Sequence, residues 1–211
     1  MNTMFENNQV SLIGEIVSKF EFSHEVFGEG FYTVEVEVER LSNFVDCLPV
    51  MVSERLIDVT KDYRGQFIIV TGEFRSFNRH TETRNQLILT VFARDIEFTE
   101  DTKFEDGSDT NSILLDGYIC KEPIYRTTPL GREIADILVA VNRAYGKSDY
   151  IPCICWGRNA RYAATFKPGD KVKLYGRIQS REYRKKLSDT EVEMRMAYEV
   201  SVSKLELVSN M

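Results

Sequence analysis

Tyr32-Thr33-Val34-Glu35-Val36-Glu37-Val38-Glu39 alternates apolar and polar side chains with a period of two. In an extended chain successive side chains point to opposite faces, so this stretch predicts a half-buried strand. About one hundred residues later, Ile134 to Asn142 is equally rich in strand-forming residues. The correspondence extends outward in both directions. At an offset of 103, Gly14 falls on Gly117, Ile16 on Ile119, Val36 on Val139, Val38 on Val141, Arg40 on Arg143 and Pro49 on Pro152. One residue is then inserted, and at an offset of 104 Gly65 meets Gly169, Gly72 meets Gly176 and Ser76 meets Ser180. Glycine and proline are prominent in this series because they occupy backbone positions that other residues fill badly. A collinear set of this kind marks an internal duplication.

Each copy has the same local order. Short strands are predicted at 48–52 and 151–155, followed by short helices at Glu54–Asp62 and Asn159–Phe166. The turns after them contain Gly65 in one copy and Lys167-Pro168-Gly169-Asp170 in the other. Strands follow at Phe67–Phe74 and Val172–Ile178, then at Leu87–Phe98 and Met194–Leu207, with polar hairpin tips at Asn78–Asn85 and Arg184–Thr190. About five strands with a helix between the third and fourth is the pattern of the OB-fold, a small Greek-key barrel. The reading is therefore all-β with short helices: two tandem five-stranded OB-fold barrels. The first spans residues 1–98 and the second 113–211. Residues 99–112, acidic and without periodicity, read as a flexible linker.

The formal net charge is −6, but the two halves differ in sign. Residues 1–100 sum to −8, 101–111 to −3 and 112–211 to +5. Only the second half would attract a polyanion. No apolar run approaches the ~18 residues of a membrane span. Met1 to Asn8 show no basic region followed by an apolar stretch, so a cytoplasmic protein is expected. The four cysteines do not make a disulfide framework. Cys153 and Cys155, two apart on a strand with no histidine nearby, read as small core residues rather than metal ligands. No metal and no cofactor are expected. His24 and His80 are the only histidines, so the second copy has no Ser/His/Asp or Cys/His set, and the chain does not read as an enzyme.

In the second copy, Gly117-Tyr118-Ile119-Cys120-Lys121-Glu122-Pro123, Ala140-Val141-Asn142-Arg143-Ala144-Tyr145, Tyr150-Ile151-Pro152-Cys153-Ile154-Cys155-Trp156-Gly157 and Gly176 to Tyr183 carry a resemblance to the bacterial single-stranded DNA-binding protein family. It implies sequence-tolerant binding of single strands by rings that stack on bases in a basic groove. The stacking set would be Tyr145, Tyr150, Trp156 and Tyr183, interleaved with Arg143, Lys147, Arg158, Arg177 and Arg181, and with Arg184, Lys185 and Lys186 at a hairpin tip. Tyr150 and Trp156 are six apart, hence on one strand face and roughly 20 Å from each other. An RNA-binding variant or a protein-interaction adaptor built on the same fold are the alternatives.

Through the repeat, the four ring positions fall on Ser42, Cys47, Ser53 and Arg79 in the first copy, so the second copy is expected to carry the main site. Phe44, Phe77, Arg75 and Arg79 could supply a substitute surface there. The resemblance further implies partners among replication and repair proteins, commonly recruited by an acidic C-terminal tail. Because the sequence stops at Leu205 to Met211, the expectation is that the acidic first half or the linker takes that role or that the protein is specialised. Members of the resembled family typically assemble four barrels, so the resemblance implies that this two-barrel chain forms a homodimer.

Overall fold

The structure is a computed structural model describing residues 7–40, 42, 44–81, 84–102, 109–186 and 192–208. The first half forms β1 (Asn8–Ile16), β2 (Glu21–Val26), β3 (Glu29–Glu39), β4 (Val45–Ser53), β5 (Phe67–Thr81) and β6 (Arg84–Thr99). The second half repeats them as β7 (Asn111–Ile119), β8 (Ile124–Thr127), β9 (Glu133–Asn142), β10 (Ser148–Trp156), β11 (Lys171–Lys186) and β12 (Val192–Leu207), with α1 (Arg158–Ala163) before β11. All twelve strands join one sheet in the order β2-β3-β4-β6-β5-β1-β7-β11-β12-β10-β9-β8. Read outward from the β1–β7 junction, the two halves have the same order. Each curls into a barrel closed by β1–β3 and β4–β6 in one half, and by β7–β9 and β10–β12 in the other. The predicted tandem OB-folds are present, each with a short extra strand, β2 or β8, hairpinned onto its neighbour.

The alternating strands place Val34, Val36 and Val38 inside the first barrel, and Ile137, Val139 and Val141 inside the second, all at most 3% exposed. Cys153 and Cys155 are buried in the second core. Burial pushes the Cys155 thiol up to about 12 and raises Cys153 well above its ordinary value. Gly72 and Gly176 sit at register shifts, where a Cβ would lie 2.1 Å from the Phe92 carbonyl oxygen and 2.2 Å from that of Ser201. Only glycine admits so close an approach of the neighbouring strand, which is why this pair survives in both copies.

Three expectations are corrected. The helix predicted over Glu54–Asp62 is a series of turns. There Ser53 Oγ accepts the Arg55 N–H and Asp58 accepts the Thr60 N–H, a local alternative to helical bonding. The alanine-bearing counterpart does form α1, burying Ala160 and Ala163. The predicted hairpin tips are strand over 78–81, 84–85 and 184–186, where the ladders run on to Thr81↔Arg84 and Lys186↔Val192, and residues 82–83 and 187–190 lie outside the described residues. Asn111 and Ser112, assigned to the linker, belong to β7; residues 103–108 of that linker lie outside the described residues.

The two barrels are locked along a pseudo-dyad. β1 and β7 pair antiparallel, and in their register Val10 lies opposite Ile113, its own repeat equivalent. On one side of this axis Asp149, 1% exposed on its side chain, accepts the Arg143 Nε–H at 2.6 Å and the Ser76 backbone N–H at 2.5 Å. Arg143 Nη2 bonds both Asp149 and the Ser76 carbonyl, the latter at 2.7 Å. On the other side Asp46 accepts from Arg40 Nε at 2.6 Å and from the Ser180 N–H at 2.7 Å. Arg40/Arg143 and Ser76/Ser180 are among the repeat identities. They persist because each copy holds the other's long hairpin. Asp46 and Asp149, also identical at the offset of 103, complete the set but were not singled out in the sequence.

Candidate nucleic-acid interface

In β10 the odd positions Ile151, Cys153 and Cys155 are core, at most 2% exposed. Tyr150, Pro152, Ile154 and Trp156 therefore occupy the outer face. Tyr150 is 45% and Trp156 38% exposed. The parallel pairing Cys153↔Val200 and Ile154↔Ser201 continues this face onto β12. The antiparallel pairs Arg177↔Ser201, Gln179↔Glu199, Arg181↔Ala197 and Tyr183↔Arg195 continue it onto β11. Directly opposed residues share a face, so Tyr150, Trp156, Arg177, Arg181 and Tyr183 stand on one curved outer surface of the second barrel.

Tyr145 lies in the turn before β10, at φ 62° and ψ 31° with its side chain fully exposed. A tyrosine in the left-handed region costs roughly 1–2 kcal/mol, and no packing of the exposed ring offsets that cost. Lys147 follows in the same turn and Arg158 begins α1 just after Trp156, both exposed. Arg181 lies 3.8 Å from Glu199, which also accepts a 2.7 Å bond from Gln179. Arg143 is the exception among the predicted cations. Its guanidinium is bonded to Asp149 and Ser76 inside the inter-barrel lock, so it is a structural group. The side chains of Lys185, Lys186 and Arg79 lie outside the described residues.

The corresponding face of the first barrel is differently furnished. Ser53 Oγ bonds Glu29, and the Cys47 thiol donates to Glu35 Oε2 at 3.1 Å. Burial, and then this bond, push the Cys47 thiol up to about 12. The predicted substitute surface is only partly assembled. Phe44 and Phe77 are exposed, but Arg75 is held by Glu73 at 2.8 Å and lies 4.0 Å over the Phe92 ring. Burial works against the Glu73 charge, yet Arg94 and Arg75 hold its carboxyl below the ordinary range. Phe31 and Phe92, 5.8 Å apart, were missed in the sequence. No spacing marked them, since strand register alone makes them neighbours.

Between the barrels runs a groove of about 700 Å³. It is lined from one side by Phe22, Met51, Phe77 and Leu87 among others, and from the other by Pro152, Tyr183, Arg195 and Met196. Among the described residues no group of His, Cys, Asp or Glu is arranged to hold a metal, and no helix is long and apolar enough to cross a membrane.

The model of the single-strand binding protein family matches residues 110–208. "Single-stranded DNA-binding protein 2" of Listeria innocua is 38% identical over 80 residues, which are 35% of this chain and 50% of the relative. "Single-stranded DNA-binding protein B" of Bacillus subtilis is 34% identical over 80 residues, 35% of this chain and 71% of the relative. The chain spans about half the length of most of the curated relatives it matches. The crystal structure of wild-type single-stranded DNA-binding protein from Thermus aquaticus superposes with a TM-score of 0.75. It covers 97% of this chain and 94% of its own, at 19% identity, which establishes the shared two-barrel fold. With its second barrel matched by the family model and by most of the length of a 34% identical relative, the chain belongs to the single-strand binding protein family.

Proposed function

We propose that this protein binds single-stranded DNA without sequence readout, by stacking bases on the outer face of its second barrel and neutralising phosphates beside them. The observation that carries this reading is the exposure of Tyr150 and Trp156 on the same sheet face as Tyr183, Arg177 and Arg181. Every base offers a π-face, so ring stacking tolerates sequence, while the cations make binding sensitive to salt. Tyr145 and Lys147 extend the surface at one end of β10 and Arg158 at the other. The protein acts as a binding protein rather than an enzyme, in the cytoplasm, with replication and repair proteins as its partners.

Trp156→Ala is expected to weaken oligo(dT) binding by about 1–3 kcal/mol with an unchanged thermal melt, because the ring lies outside the core. A variant that binds as the parent does would refute the assignment of this face, and a variant that unfolds would show the ring to be structural.

The first barrel, acidic and without a ring at any of the four equivalent positions, serves mainly in assembly. A homodimer would bring four barrels, and so more contacts, to one strand. Sedimentation at micromolar concentration should give two chains, and one 24.4 kDa chain would rule the dimer out.

A further inference from the structure

We infer that the groove between the barrels is a second base-binding subsite for the same strand, and that Phe77 of the first barrel is one of its stacking residues. This rests on the reading of the second barrel as a single-strand binder. Three observations converge on it.

The groove is continuous with the proposed interface. Tyr183 belongs to both, and Pro152, two residues from Tyr150 on the same outer face of β10, lines the groove wall. A strand stacked on Tyr150 that continues toward Tyr183 passes the groove mouth.

The lining is also uncovered and ring-bearing. Phe22, Phe77, Leu87 and Met196 are 62%, 41%, 38% and 41% exposed. Glu21 and Arg195 are the charged side chains among the described residues that line it. Of the glutamate-rich face of β3 only Thr33 lines the groove, while Glu35 stands opposite Pro49 and, after burial, helps raise the Tyr198 phenol on the groove wall.

The position of Phe77, finally, is built rather than incidental. Its neighbour Ser76 is 5% exposed. The Ser76 N–H donates to Asp149, its carbonyl accepts from Arg143, and its Oγ accepts the Tyr150 backbone N–H at 2.7 Å. The residue that presents Phe77 is thus hydrogen-bonded to the backbone of the proposed stacking residue Tyr150. Ser76 acts as a positioning residue for both rings, and the first barrel contributes directly to the binding surface.

The test measures anisotropy of labelled oligo(dT) with the full chain. One oligonucleotide is short enough for a single barrel, about 8 nucleotides, and the other about twice as long. Phe77→Ala is expected to lower affinity for the longer strand about five- to tenfold and leave the shorter one unchanged. Phe77→Leu, which keeps the apolar volume but not the ring, should show the same loss with an unaltered melt, separating stacking from folding. Unchanged binding of the longer strand by both variants would overturn the subsite. Trp156→Ala, measured alongside, distinguishes the two failures. If it weakens both strands while Phe77 has no effect, only the subsite is lost; if neither residue matters, the reading of the second barrel fails as well.

Discussion

Asp149→Ala is expected to destabilise the chain by about 3 kcal/mol, the lower part of the range for breaking a buried ion pair. The lower part applies because the Arg143 side chain is 27% exposed and regains some hydration. Two groups lose their partner at once. The guanidinium loses its carboxylate and keeps only the Ser76 carbonyl, and the Ser76 N–H, which Asp149 accepts at 2.5 Å, has nothing in its place. A buried donor without an acceptor costs more than the bond was worth, since water cannot replace it. Adding Arg143→Met to the same chain should restore part of the loss by removing the stranded charge. Urea unfolding of the two variants measures both effects. A loss under about 1 kcal/mol would mean that the lock orients the barrels without stabilising them. Asp46→Ala, the equivalent change across the pseudo-dyad, is expected to behave alike, since Arg40 and Ser180 repeat the arrangement.

The second expected result concerns the barrels taken apart. A fragment of residues 109–211 should sediment as a dimer of twice its own mass and still bind oligo(dT). Removing the first barrel strips β7 of its partner β1 and exposes a row of unpaired backbone groups, which invites pairing with another chain. The register supplies the means. Ile113 faces its own equivalent Val10 in the intact chain, so two copies of β7 can pair about Ile113 with the same spacing. The lock closes as well, because Ser180 of one copy offers Asp149 of the other the same backbone N–H that Ser76 provides. A soluble monomeric fragment would show that covalent linkage, and not the self-complementary edge, holds the barrels together.

Much of the fold could be read from local pattern. Alternation in Tyr32–Glu39, the glycines at 72 and 176 and the collinear repeat depend on backbone geometry within a few residues, and they announced two like barrels. The outward direction of Trp156 followed likewise from the period of a strand whose alternate positions are Cys153 and Cys155. Where local chemistry competed with pattern, the reading failed. Ser53 and Asp58 took backbone N–H groups that a helix over Glu54–Asp62 would have needed.

Arg143 shows the boundary most clearly. As a type and a position it fitted a phosphate contact, and its identity with Arg40 marked it as kept in both copies. What it bonds depends on Asp149 six residues away and on Ser76, 67 residues earlier on the other barrel. Most of the strands, the duplication, the charge difference between the halves and the rings of the second barrel were legible in the sequence, because they follow from short-range periodicity and composition. Which cations face solvent, that β1 and β7 fuse the barrels, and that Phe77 and Tyr183 line one groove became visible only in the folded chain. Those depend on the register between strands distant in the chain, and the energy that selects a register is realised only when both strands are in place.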